Sequence, residues 1–298
     1  MEFVILIFLL IGAGYWVLLR REFLKEYFEE IDDHPVFLQL EFRTVPPAES
    51  ISKFYKDLHS KLLGRKNNLV SLEYFPDRRQ GQFLLGCDRE EQQSIGQLLT
   101  DNFAGIMYKE IKDYFPVLLK ATQEKALLEF ELELPFFIPL KFNDSSDIFS
   151  LFSKIEGVYP QLIIRPVPSE WQSTAGVERE ESPRRFSLAE KSLIDAKLTQ
   201  AGYQFSLRVV VTAKTEAEAK ETFNTIRRGV RSSVSTELNN LIARNRETSM
   251  LTKVRQRFVA QNLSEQLDGF EKFEARFLDD DTENVLAISE LTGISKLE

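Results

Sequence analysis

The sequence predicts an α+β protein with one N-terminal transmembrane helix, and three observations lead to this fold class. A charge-free apolar run occupies residues 3–19. The spacing of apolar residues in the remaining chain predicts the order strand, helix, strand, strand, helix, strand twice. A hydrophobic content of 43%, with 24 phenylalanines, is sufficient for packed cores. Because the repeated order is that of the split βαβ unit, we expect two tandem ferredoxin-like (βαββαβ) modules.

The first element is predicted to cross a membrane. A hydrocarbon core of about 30 Å requires roughly 17 to 25 apolar residues in a helix, and residues 3–19 meet that length. Aromatic rings near the end of the run, and cations directly after it, are typical of a cytoplasmic boundary. A buried core helix or a cleaved signal peptide is the alternative interpretation. The predicted anchor residues are Phe3, Leu10, Trp16, Leu19, Arg20 and Arg21.

The predicted localisation is the cell membrane, with a single membrane pass and the C-terminal domains in the cytoplasm. Arg20 and Arg21 favour this orientation by the positive-inside rule. Cys87 is the single cysteine, which excludes an internal disulfide and agrees with a reducing compartment. A formal net charge of −8 argues against extensive wrapping of nucleic acid.

The domain organisation is predicted in four parts. The spacing of apolar residues and the turn signals between them set the boundaries. Residues 1–33 are the anchor and a helical stalk, 34–120 the first ferredoxin-like module, 121–280 the second module with an insertion loop near 168–186, and 281–298 a C-terminal tail or short helix.

The strands and helices follow from two periodicities. Residues 38–42 alternate apolar and polar side chains and indicate a strand, and residues 50–63 place apolar side chains on one helical face. Residues 127–134 alternate apolar residues with Glu129, Glu131 and Glu133. We interpret this acidic row as the solvated face of an antiparallel strand, with binding of cations or a basic partner as the alternative.

The sequence contains no constellation of catalytic residues. The phosphate-binding motifs GxxxxGK[ST] and GxGxxG are absent, and so is the nucleophile motif GxSxG. His34 and His59 have no second ligand at metal-binding spacing, and Cys87 has no histidine placed to activate it. We therefore expect a protein that is not an enzyme and that binds no cofactor and no metal.

One stretch of the otherwise acidic chain is basic, between residues 227 and 257. A helix would bring three of its arginines near one face, where guanidinium groups could contact phosphates or an acidic partner. The alternative is a solvated face that pairs with Glu221, Glu237 and Glu247. The residues predicted for phosphate or partner contact are Arg227, Arg228, Arg231, Arg244 and Arg246.

Four segments resemble a known family. They are YPQLIIRPVPSEW at 159–171, LQLEF at 38–42 followed by FYKDLH at 54–59, LVSLE at 69–73 and GYQFSLRVV at 202–210. Together they resemble the membrane-proximal N-terminal region of type IV secretion or conjugation ATPases of the HerA–FtsK class. The resemblance implies an assembly and docking module that precedes a DNA-pumping motor. The motor with its phosphate loop is absent from this sequence. The resemblance therefore implies either a separately encoded or truncated partner of such a motor, or a shared fold alone.

The sequence is therefore compatible with three functions. The first is a non-enzymatic, membrane-anchored subunit of a conjugation or type IV secretion-like system for DNA or protein transfer, which docks a cytoplasmic ATPase. The second is a scaffold of pilus or type II secretion assembly, and the third is a membrane-tethered nucleic-acid-binding module. The expected partners are the lipid bilayer, a phosphate-loop ATPase motor in trans and further copies of the chain, with nucleic acid less favoured.

Overall fold

A computed structural model describes the chain over residues 35–66, 68–76, 81–115, 124–143, 148–235, 237–244, 269–278 and 284–295. The chain divides into one unit over Met1–Pro35 and a second compact unit over Val36–Glu298. The helices and strands named below all belong to the second unit.

Nine strands and eight helices make up the described part of this unit. The strands are β1 (Val36–Glu41), β2 (Val70–Pro76), β3 (Gly81–Cys87), β4 (Met107–Ile111), β5 (Glu124–Leu132), β6 (Val158–Val167), β7 (Gly202–Ala213), β8 (Leu241–Arg244) and β9 (Val285–Ala287). The helices are α1 (Ala48–Leu62), α2 (Gln92–Asn102), α3 (Ile148–Ser153), α4 (Glu170–Glu181), α5 (Leu188–Leu198), α6 (Glu216–Ser233), α7 (Gly269–Glu274) and α8 (Ile288–Ile294).

All nine strands belong to one antiparallel sheet. Eight of them follow the order β4-β1-β3-β2-β6-β7-β5-β8, and β9 pairs with β7 beside β5. The two halves of the sheet meet where β2 pairs with β6, from Val70 opposite Ile164 to Glu73 opposite Gln161. The strands of the first and second halves of the chain are thus hydrogen-bonded into a continuous surface.

The predicted fold class is wrong, because the chain does not form two small ferredoxin-like modules behind a transmembrane helix. The described structure is mixed α/β, with a nine-stranded antiparallel sheet. Leu72 on β2 and Leu162 on β6 are register partners, and both belong to the same hydrophobic core. The local spacing of apolar residues predicts that a segment is a strand. It does not predict which other strand it pairs with, because that depends on the whole fold. The predicted module boundary at 120 and 121 lies outside the described residues.

The prediction of a single-pass membrane protein is corrected as well. Within the ranges that the structure describes, no helix combines the length and the apolar character needed to cross a membrane. The predicted anchor at residues 3–19 and the cations Arg20 and Arg21 lie outside those ranges.

Helix α1 shows how the main core is built on one face of the sheet. Its first turn follows Pro47, whose carbonyl accepts hydrogen bonds from the amides of Ser50 and Ile51. The helix ends before Gly64, which has a φ of 78°. The apolar residues repeat at intervals of three and four, so they lie on one face. The buried apolar residues of the helix are Ile51, Phe54, Tyr55, Leu58 and Leu62.

The other face of the sheet carries a smaller cluster. Leu84 and Val210 point to this side, because their neighbours Leu85 and Val209 belong to the main core and side chains alternate along a strand. Tyr114, Phe115 and, from helix α7, Phe273 complete the cluster. The segment 269–278 therefore covers this face.

Two regions have more structure than the sequence predicts. Residues 168–186, the predicted insertion loop, contain helix α4, and Trp171 of this helix packs against Phe136. The region 281–298, predicted as a tail or short helix, includes helix α8 and also strand β9, and the residues of both elements are largely buried. Both segments contribute to the packed body of the molecule.

Candidate functional site

Helix α6 carries three of the five arginines that the sequence singles out. Its inner face is apolar, with Phe223, Ile226 and Val230 in the main core. The Thr215 side chain caps the first turn by accepting a hydrogen bond from the Glu218 amide at 3.2 Å. The helix is therefore held firmly at its start and along its length, and its outer face is presented to solvent.

The outer face of the last two turns is formed by Arg227, Arg228 and Arg231, which we call the arginine face. Arg228 and Arg231 are exposed and Arg227 is half-buried. The Nε atom of Arg228 donates a hydrogen bond to the backbone carbonyl of Asn224 at 3.2 Å. The Nε atom of Arg227 is buried and meets no hydrogen-bond acceptor among the described residues. Most of the donor capacity of these guanidinium groups is thus unused.

The arginine face has no carboxylate partner in the described part of the chain. Glu221 and Glu237, two of the acidic residues with which the sequence suggests pairing, form no ion pair with it, and both are exposed. The third, Glu247, lies outside the described ranges. The interpretation of these arginines as a self-neutralised surface therefore finds no support where the structure can test it.

Further polar groups lie near the end of α6. The Lys141 carbonyl accepts a hydrogen bond from the Ser235 amide at 2.7 Å, and Lys141 itself is exposed. The side-chain amide of Asn143 donates to the Ser232 carbonyl at 2.8 Å. The segment 141–143 is therefore hydrogen-bonded to the C-terminal turn of the helix. A cation such as Lys141 near this end is favourable, because the C-terminal end of a helix dipole is negative.

The other two predicted arginines are not brought to this face. Arg244 is the last residue of β8, where its backbone lies opposite Glu129 of β5. Arg246 lies outside the described residues. The predicted set of five is therefore reduced to one compact group of three.

A row of buried polar side chains crosses the middle of the sheet, and the sequence analysis does not predict it. Four strands place Glu73, Gln161, Arg208 and Glu129 opposite one another in register, in that order. The Nε atom of Arg208 donates to Glu129 at 3.1 Å, and the Gln161 amide donates to Glu73 at 3.3 Å. Glu129, which the sequence places on a solvated face, is in fact buried.

Arg276, in the segment 269–278 that covers this face of the sheet, contacts the Glu73 end of this row. Its Nε atom donates to Glu73 at 3.2 Å, and its two terminal nitrogens donate to Asp113 at 2.7 and 2.8 Å. The guanidinium also lies 4.5 Å from the centre of the Phe37 ring. Burial, followed by the charge of Glu73, raises the pKa of the neighbouring Tyr114 phenol. Arg208 and Arg276 thus pair with the three carboxylates of Glu129, Glu73 and Asp113. These ion pairs tie the strands of the row to the covering segment.

A second buried ion pair joins helix α5 to the C-terminal helix α8. The ammonium of Lys197 lies 2.9 Å from Glu290, and both side chains are almost completely buried. Glu290 also accepts hydrogen bonds from the amides of Leu140 and Ala287. Burial lowers the pKa of Lys197, although the carboxylate of Glu290 opposes that shift.

The candidates for nucleophilic or metal chemistry are accounted for by packing. Cys87 is buried, and its pKa is raised to about 12 by that burial, with smaller contributions from neighbouring carboxylates. His59 lies beside the Val167 carbonyl, with its Nε2 atom at 3.1 Å, and packs edge-on against Tyr203. In the part of the chain that the structure covers, no three His, Cys, Asp or Glu side chains are arranged to hold a metal ion.

Comparisons with known proteins do not assign a family. No family model matches the chain, and no curated protein matches it. Similar solved structures include berberine bridge enzyme from Eschscholzia californica, with 9% identity and a TM-score of 0.28 over 68% of this chain and 42% of that one. Another is Cas6 in a product complex, with 10% identity and a TM-score of 0.18 over 70% of this chain and 100% of that one. At these scores the likeness carries no conclusion about function.

Proposed function

We propose that the protein is a non-enzymatic docking subunit of a conjugation or type IV secretion-like transfer machine, where it positions a phosphate-loop ATPase. The observation that carries this proposal is the arginine face, three guanidinium groups on one helix with no carboxylate partner among the described residues. The resemblance of the β1, β2, β6 and β7 segments to the region that precedes such a motor suggests the kind of machine.

The arginine face is suited to docking because it is fixed. Phe223, Ile226 and Val230 hold α6 on the sheet, and Gly229 lets the helix approach Leu151 of α3 closely. Guanidinium groups on a fixed helix lose less conformational freedom on binding than groups on a loose segment. Their planar forks match carboxylate groups in bidentate geometry.

An acidic protein surface fits this face better than nucleic acid does. The chain carries a formal net charge of −8, so its overall field repels a polyanion. The arginine face is also a compact group on two turns of helix, whereas nucleic-acid binding typically uses a basic stripe that follows several phosphates. We therefore propose that the arginine face binds an acidic patch on the ATPase.

The proposal requires that a neighbouring reading frame encodes a phosphate-loop ATPase, and it is tested by measuring binding between the full chain and that ATPase. We expect the triple variant Arg227→Glu, Arg228→Glu and Arg231→Glu to weaken binding at least about 10-fold, because three favourable charge contacts become repulsive. The measurement is a titration by biolayer interferometry at about 0.1 M salt, where exposed charges still interact.

The matched control changes the net charge equally at a distant place. Lys56, Lys61 and Lys66 are exposed residues of α1 and the turn after it, and their replacement by glutamate should leave the affinity unchanged. Equal loss in both variants would show a non-specific charge effect and contradict the proposal. Salt-dependent binding of duplex DNA that the arginine variant abolishes would instead assign the face to nucleic acid.

A further inference from the structure

The outward face of helix α5 carries an uncharged ridge. Leu188 is 86% exposed, and Ala189, Ser192 and Ala196 are exposed on the same side of the helix. Leu188, Ser192 and Ala196 are spaced by four residues, so they line up along one face. The opposite side of the helix is buried through Ile194 and Lys197. The ridge itself is uncharged, whereas the buried side includes the charged Lys197.

Helix α5 is firmly held, so the exposure of this ridge is not a consequence of a loose segment. Ser187 and Glu190 form a complete capping box at its first turn. Lys197 near its end makes the buried ion pair with Glu290 of α8. Arg179 of α4 pairs with Asp195 on its flank. The ridge is a preorganised surface.

We propose that the ridge of α5 packs against the same ridge of a second copy of this chain, with the two helices antiparallel about Ser192. A two-fold axis at Ser192 brings together residues at equal distances before and after it. Leu188, four residues before, then meets Ala196, four residues after, so a large side chain lies over a small one at both ends. Ser192 and Ala189 at the crossing allow the two backbones to approach closely.

The charges on the flank of α5 are complementary in the same arrangement. Lys191 and Asp195 lie on one side of the ridge. In an antiparallel pair, this flank of one helix faces the same flank of the second helix. Lys191 of one helix then lies only about 3 Å from Asp195 of the other, measured along the helix axis. Each Asp195, already paired with Arg179, then gains a second cation. The antiparallel arrangement therefore brings opposite charges together across the contact.

The contact is small. A single helix packed against its copy buries less than ~1,200 Å², which is the range of weak and transient interfaces. We therefore expect a concentration-dependent dimer with a dissociation constant on the order of micromolar. Its formation does not depend on the arginine face, so the dimer and the docking proposal can fail separately.

The experiment uses a cysteine at the proposed axis. Because native Cys87 is buried, the full-length Ser192→Cys variant has one reactive thiol. With oxidised glutathione as the oxidant, two such thiols at the axis should form an intermolecular disulfide, seen as a dimer on a non-reducing gel. We expect it to form at least about 10-fold faster than in the control Thr100→Cys, which places an exposed thiol on α2.

A second variant tests the contact without a cross-link. Leu188→Glu should abolish the concentration dependence of the sedimentation coefficient up to about 100 µM, while Val45→Glu, at a remote residue that is 60% exposed, should leave it intact. Circular dichroism confirms that both variants are folded. Equal cross-linking rates for the two cysteine variants, or a dimer that persists in Leu188→Glu, would overturn the proposal.

Discussion

Cys87 illustrates what burial does to a single ionisable residue. The thiol is 1% exposed and lies on β3 opposite Val36 and Val70. Burial is the main cause of its raised pKa of about 12, and nearby carboxylates, Asp88 first among them, add to it. The thiol is therefore protonated and unreactive at neutral pH in the folded protein.

The raised pKa of Cys87 predicts a loss of stability in alkali. An unfolded thiol titrates near 9.0, whereas the folded one titrates near 12, so the stabilising effect is fully present below about pH 9 and is lost as the pH rises toward 12. Between pH 8 and pH 10 the free energy of unfolding should fall by about 1.4 kcal/mol through this residue. Urea denaturation of the native chain and of Cys87→Ala at both pH values measures the difference. An identical fall in both proteins would rule out this origin.

At the same scale, the sequence predicts some of the important residues and misses others. Arg227, Arg228 and Arg231 are grouped correctly on one helix, because their spacing is local. The pairing of Glu129 with Arg208 could not be predicted, because the two residues are 79 positions apart and meet only through strand register. A charged residue in the apolar run of β7 is the signal that points to such a partner.

At the scale of the element, Gly202 fixes how helix α4 meets the sheet. A Cβ atom at this position would lie 2.6 Å from the Trp171 ring. Trp171 is itself buried against Phe136, so the ring has little freedom to move away. The close approach of helix and strand therefore requires glycine at the start of β7.

Two glycine substitutions should thus have opposite effects. Gly202→Ala should destabilise the protein by about 1–3 kcal/mol, because the new methyl group overlaps the Trp171 ring. Gly176→Ala, within α4, should stabilise it by about 0.5–1 kcal/mol, because a Cβ atom there meets nothing within 4 Å and alanine favours the helix. Chemical denaturation followed by circular dichroism gives both values. A neutral Gly202→Ala would show that the ring adjusts freely.

Elements with a strong period are the ones that the sequence predicts. The helix predicted over 50–63 is found as α1, because five apolar residues repeat on one face. Helix α4 is missed, because its Ser, Glu and Gly content is typical of a loop and only Trp171 and Ala175 are buried. Its helical state is decided by tertiary contacts with the sheet and α5.

At the scale of the whole molecule, the pairing of β2 with β6 joins two cores that the sequence predicts to be separate. Leu72 and Leu162 are register partners in one core, and Gln161 of β6 bonds both Glu73 of β2 and the Phe273 carbonyl. Neither half can open along this line without exposing apolar side chains and a buried carboxylate. The sheet should therefore behave as a single cooperative unit.

Cooperativity of the sheet is tested by a substitution at its centre. Leu162→Ala should lower the free energy of unfolding by about 2–5 kcal/mol, since Leu162 is fully buried. If the sheet unfolds as one unit, calorimetry of the variant should show a single transition. The protection of the β1 and β5 amides from hydrogen exchange should also fall together, although β1 is three strands away from β6. Val45→Ala, at an exposed residue, should change neither quantity. Two transitions, or unchanged protection in β1, would mean that the halves unfold independently.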